Sequence, residues 1–193
     1  MIKKCKCKSN IAIIGLNPEY TNEVASLVAE QLDMYFLDTL KLFEYDYAPY
    51  SLSELISENN IRWVRQKLVR TIKYACTLDN TIITFESGIL NNKQKMSIID
   101  KGCLIIYLHQ EERKINKYQE NVKYQTNELK RFCKIKESNI KKYISTAKEY
   151  SDITINASKF STFKCMGEVL RAIKKYYGVE WLWKKLMKKQ LKI

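Results

Sequence analysis

The residues whose types and spacing come nearest to a reactive site form the octet Gly15-Leu-Asn-Pro-Glu-Tyr-Thr-Asn22. It follows the apolar, β-branched run Asn10-Ile-Ala-Ile-Ile-Gly15, the place where a turn that wraps phosphates would stand. Such a turn has the pattern G-x-x-x-x-G-K-[ST]. Its glycines let backbone N–H groups surround the phosphates, its lysine neutralises them, and its hydroxyl holds Mg²⁺. Here only Gly15 keeps its place. Tyr20 stands at the second glycine, Thr21 at the lysine and Asn22 at the Ser/Thr, while Glu19 adds a negative charge where phosphates would sit. The octet predicts a vestigial nucleotide site at Gly15, Thr21 and Asn22, short of both the charge and the backbone freedom it needs.

Other residues with chemical potential are scattered. His109, the single histidine, follows an apolar strand but shows no partner for general acid/base work. Cys5-Lys-Cys7 is too closely spaced for a zinc knuckle and has no second pair, so no metal site is expected. The clearest pattern lies at the end of the chain. From Gly178 onward, Val179, Leu182, Trp183, Leu186, Met187 and Ile193 recur at helical spacing, opposite Glu180, Lys184, Lys185, Lys188, Lys189 and Lys192. A basic amphipathic helix holding Trp181 and Trp183 suits an acidic protein groove, an anionic membrane surface or nucleic-acid phosphates. Trp181, Trp183, Lys184, Lys185, Lys188 and Lys189 are its expected partner-binding residues.

The elements that must position these groups alternate along the chain. Strands are expected at 10–15, 34–37, 81–85, 102–108 and 153–155, with helices from Asn22, over 53–78, 91–99 and 128–150, and over 161–176. Strands rich in Ile, Val and Leu that alternate with helices imply βαβ units, hence a doubly wound, three-layer α/β fold with a parallel sheet. Ligands of such sheets bind beyond the carboxyl ends of the strands. Residues 15–22, 38–44, 85–92 and 109–112 should therefore border one crevice.

Composition is consistent with this reading. With 193 residues, 46% hydrophobic and 28% charged, the chain is long enough for one well-buried core and unlike a disordered one. The net charge of +13 sits at the ends: residues 1–8 carry four lysines and no acid, and residues 171–193 carry eight Lys/Arg against Glu180, which leaves +2 between them. The expected organisation is a basic extension over 1–9, an α/β domain over 10–177 and the basic amphipathic helix over 178–193. No run approaches a membrane span, no secretory signal is visible, and the six cysteines are expected as reduced thiols in the cytoplasm.

Five segments, in order and register, resemble shikimate kinases, which have a P-loop kinase fold. Asn10-Ile-Ala-Ile-Ile-Gly15 is similar to that family's first strand and loop, and Phe36-Leu-Asp-Thr-Leu-Lys-Leu-Phe-Glu44 to its F-x-D-T-D-x-x-I-E segment. Residues 54–65 are similar to E-I-F-x-x-x-G-E-x-x-F-R, Ile83-Thr-Phe-Glu-Ser-Gly88 falls at its three-glycine stretch, and Ser151-Asp-Ile-Thr-Ile155 resembles its A-D-I-x-V strand. The resemblance implies that Asp38 is the metal-side, catalytic aspartate, that Arg65 pairs with the substrate carboxylate, and that Gly88 is a substrate-binding glycine. It also shows departures. Leu40 replaces the second aspartate, Glu86 and Ser87 replace two glycines, residues 122–126 lack the lid arginine, and Tyr143 stands where an adenine-stacking arginine is expected. Phosphoryl transfer depends on positioning and on cations around the transferred group. The expected function is therefore that of a catalytically inactive, shikimate-kinase-like binding or structural component needing no cofactor. The alternative is an active small-molecule kinase that uses ATP and Mg²⁺ through an unconventional loop.

Overall fold

A computed structural model describes residues 8–88, 92–123 and 126–178. Five parallel strands lie in the order β2-β3-β1-β4-β5: β1 Asn10–Gly15, β2 Tyr35–Asp38, β3 Thr81–Thr84, β4 Cys103–His109 and β5 Ile153–Asn156. The central strand β1 is buried along its whole length, as a strand covered on both faces must be. Its alternation divides the core. Ile11 and Ile13 join Val24, Val28, Val169 and Ile173 of α1 (Pro18–Leu32) and α9 (Thr162–Tyr177) on one face. Ala12 and Ile14 join Phe43, Leu68, Ile72, Met96 and Ile140 on the other.

The second face is covered by α2 (Thr39–Asp46), α3 (Leu52–Asn59), α4 (Ile61–Ala75), α5 (Lys93–Gly102), α7 (Asn127–Cys133) and α8 (Glu137–Tyr150), with α6 (Glu112–Asn121) after β4. Asn10 fixes the register of the sheet's entry: its buried amide donates to the Leu78 carbonyl and accepts from the Thr81 N–H at 3.0 Å. Lys8 ties the chain's entry to the same end, pairing with Asp100 at 3.2 Å and Asp152 at 3.4 Å, while the Tyr177 hydroxyl donates to the Lys8 carbonyl at 2.7 Å.

The parallel α/β arrangement follows the sequence pattern, but several helices differ from expectation, and α1 starts at Pro18 where Asn22 was expected. The stretch 53–78 is two helices, because Asn60 adopts φ 71° and caps α4 by accepting from the Trp63 N–H at 3.1 Å. The stretch 128–150 is also two, because residues 134–136 are extended and the Ile135 N–H goes to Gln119 Oε1 at 3.0 Å. Within the stretch 38–44, expected only to border the crevice, a helix α2 begins at Thr39 because Asp38 caps it through Leu40 N at 2.9 Å. The helix α6 has no counterpart in the sequence reading. Residues 181–189, which hold the expected partner-binding set, lie outside the described residues.

Candidate functional site

The turn after β1 has almost no length. Helix α1 begins at Pro18, so only Leu16 and Asn17 separate it from Gly15. Proline at the first helical position and an asparagine cap are what drive so early a start. Two amides at the start of the helix are already used: the Tyr20 N–H goes to Asn17 Oδ1 at 3.2 Å and the Thr21 N–H to the Asn17 carbonyl at 3.0 Å. Thr21 is buried, and its hydroxyl donates to that same carbonyl at 2.7 Å. Tyr20 braces the turn from outside by donating to the Phe160 carbonyl at 3.2 Å.

Gly15 has a packing reason to be glycine. A Cβ there would lie 2.3 Å from Thr21 Oγ1, so its absence makes room for the threonine hydroxyl.

Asn22 Nδ2 donates to Asp38 Oδ2 at 2.8 Å, and Asp38 Oδ1 accepts from the Leu40 N–H at 2.9 Å. Both carboxylate oxygens therefore have a donor. Asn22 and Asp38 line a small cavity of about 150 Å³ with Leu40, Phe85, Glu86 and Gln119, among others. His109 does not line it. Its Nδ1 lies 3.3 Å from the Tyr107 hydroxyl, the partner that the sequence did not reveal, and burial followed by Lys148 pulls its pKa down.

Glu86, at the first of the replaced glycines, is buried behind the same cavity and takes the Gly88 N–H on Oε1 at 2.7 Å. A Cβ on Gly88 would fall 2.5 Å from that oxygen, so Gly88 serves Glu86 directly. Burial holds the Glu86 carboxyl above the usual carboxylate range against the opposing pull of the Gly88 N–H, Lys95 and Arg65. Burial also lowers the Lys95 pKa, with Glu86 pulling it back up. Arg65 lies on α4 with its guanidinium carbon 5.6 Å from the centre of the Phe132 ring. Burial pushes the Cys133 thiol up to about 12, which leaves it an inert wall residue.

Asn22 and Asp38 thus meet at one crevice, Gly15 and Thr21 pack against each other beside it, and Glu86 takes the Gly88 N–H with Arg65 within electrostatic reach. The sequence did not single out Lys95, Gln119 or Cys133. Lys95 follows two exposed residues at the start of α5, and no local pattern marks it as buried.

Comparison with known proteins decides the family. The shikimate kinase profile matches residues 22–174. The chain belongs to the shikimate kinase family. A shikimate kinase of Dehalococcoides mccartyi is 24% identical over 175 residues, covering 89% of this chain and 97% of the relative. The crystal structure of shikimate kinase from Aquifex aeolicus superposes with a TM-score of 0.69 at 15% identity, covering 87% of this chain and 98% of that one. The Acinetobacter baumannii shikimate kinase in complex with shikimate gives a TM-score of 0.72 at 13% identity, covering 89% and 96%. These structures establish a P-loop kinase fold. Among the described residues no helix is long and apolar enough to cross a membrane. The matched region starts at residue 22, after the turn that follows β1.

Proposed function

We propose that this member of the shikimate kinase family has given up phosphoryl transfer and acts as a binding component. One observation carries the reading: the connection between Gly15 and α1 is two residues long, and Asn17 already accepts from the amides of Tyr20 and Thr21. A phosphate in that turn would have to displace those bonds, and it would meet no lysine and a nearby Glu19.

The residues present do not fit a magnesium–triphosphate either. Asn22 offers an amide donor to Asp38 in place of a hydroxyl oxygen to a cation, and Asp38 Oδ1 is engaged as a helix cap. Nor do they fit the usual substrate. The carboxyl group of Glu86 takes the Gly88 amide and lies within electrostatic reach of Arg65, so a side chain of the protein itself fills the place where the resemblance puts a substrate. In this reading the protein works in the cytoplasm without a cofactor, and the basic segment with Trp181, Trp183, Lys184, Lys185, Lys188 and Lys189 adds contacts to an anionic or acidic partner.

A coupled assay of ADP release with shikimate, ATP and Mg²⁺ tests the proposal. The expected result is no turnover above the uncatalysed rate, both for the natural chain and for Tyr20→Gly, Thr21→Lys, Asn22→Ser, because Leu40 still lacks the second carboxylate. Turnover by the natural chain that disappears on Asp38→Ala would overturn it.

A further inference from the structure

A second concavity lies beside the crevice, and of the site residues described above it shares only Arg65. It is a groove of about 580 Å³ between α4, α7 and α8, lined by Ile61, Arg65, Lys130, Arg131, Lys134, Lys136, Asn139 and Tyr143. Its volume is in the range of small-ligand sites. Five of its eight lining residues are cations and none is an acid.

The extended segment after α7 builds it. Along this segment side chains alternate: Cys133 and Ile135 line the small cavity, while Lys134 and Lys136 line the groove. The segment is therefore a wall with an apolar side and a cationic side, and the Gln119–Ile135 hydrogen bond holds it in place. Arg65 is steadied by the Phe132 ring beneath its guanidinium. No ion pair to Arg65, Lys130, Arg131, Lys134 or Lys136 exists among the described residues. Glu137, the acid next to Lys136, accepts from Asn116 Nδ2 at 3.2 Å.

We propose that this groove binds a small polyanion, a molecule carrying several phosphate groups. The five cationic side chains are exposed at the groove's rim; like charges gathered there repel one another, and a multiply charged anion seated between them relieves that repulsion. A monocarboxylate would answer one or two of the five cations. An extended nucleic-acid backbone asks for a track of charge, whereas these cations surround one recess with Tyr143 buried at its wall. The binding needs nothing from the turn after β1, so it stands whether or not the chain transfers phosphate.

Calorimetric titration of the full chain with inorganic tripolyphosphate at about 0.15 M salt tests it, a salt level that screens diffuse surface attraction. The expected result is one saturable site. Lys134→Glu with Lys136→Glu should weaken it on the order of thirtyfold or more, since the swap sets like charge against the ligand. Lys141→Glu with Lys142→Glu makes the same change of net charge on exposed α8 positions outside the groove and should weaken it by less than about threefold. Lys134→Gln with Lys136→Gln should give an intermediate loss, and thermal transitions check that every variant folds. Equal losses in the two glutamate pairs, or no saturable site, would overturn the proposal. So would a loss seen only with a single-stranded RNA oligonucleotide in place of tripolyphosphate.

Discussion

Replacing Phe43 by alanine is expected to lower folding stability by about 3–5 kcal/mol, the cost of truncating a buried aromatic ring in a core that cannot collapse around it. Phe43 is fully buried on α2. Its ring lies 4.7 Å from Tyr47, which in turn meets Trp63 of α4 edge-on at 5.6 Å. These three rings fasten α2 to α4, so the loss should also free Leu40 from the cavity wall. Urea unfolding reads the effect as a lower midpoint with an unchanged slope. A loss under about 1 kcal/mol, the scale of a site that repacks freely, would mean that the rings do not hold α2.

Glu86→Gln should change how stability depends on pH. Burial raises the Glu86 pKa in the folded state. The native protein therefore binds a proton more readily than the unfolded chain, and wild-type stability falls as pH rises from the ordinary glutamate range through the native value. The slope of that fall reaches at most about 1.4 kcal/mol per pH unit. Glutamine keeps an acceptor for the Gly88 N–H and has no charge to bury, so the variant lacks this component. The difference in stability, variant minus wild type, should be flat at low pH and then grow in the variant's favour as pH rises. Urea titrations in steps from pH 4 to pH 7 measure it. A difference that stays constant, or moves towards the wild type, would show that Glu86 ionises in the fold at no cost.

The sheet was legible because its strands are short β-branched runs between polar turns, and their parallel direction followed from the alternation with helices. The breaks between α3 and α4 and between α7 and α8 were not, for different reasons. At Asn60 a local signal existed but the apolar spacing ran through it. At Lys134–Lys136 there was none, since the bond that ends the helix comes from Gln119, remote in sequence. The same division holds at the crevice. Gly15, Thr21, Asn22, Asp38, Arg65 and Gly88 stood out by motif or resemblance. What the motif could not convey is that the turn is filled from within, by Asn17 as cap and by Thr21 against Gly15. Lys95 joins Glu86 only through the packing of α5, and the cationic groove assembles from three helices whose lysines each look like ordinary surface residues.

The central claim, that the turn after β1 no longer holds a nucleotide's phosphates, is tested most directly by titrating ATP with Mg²⁺ into the Lys134→Glu, Lys136→Glu variant, in which the groove's own attraction for anions is removed. The predicted result is no saturable heat at ligand concentrations up to about 1 mM, where a site worth some 4 kcal/mol would already be half filled. A one-to-one isotherm that requires Mg²⁺ and is lost on Asp38→Ala would contradict it.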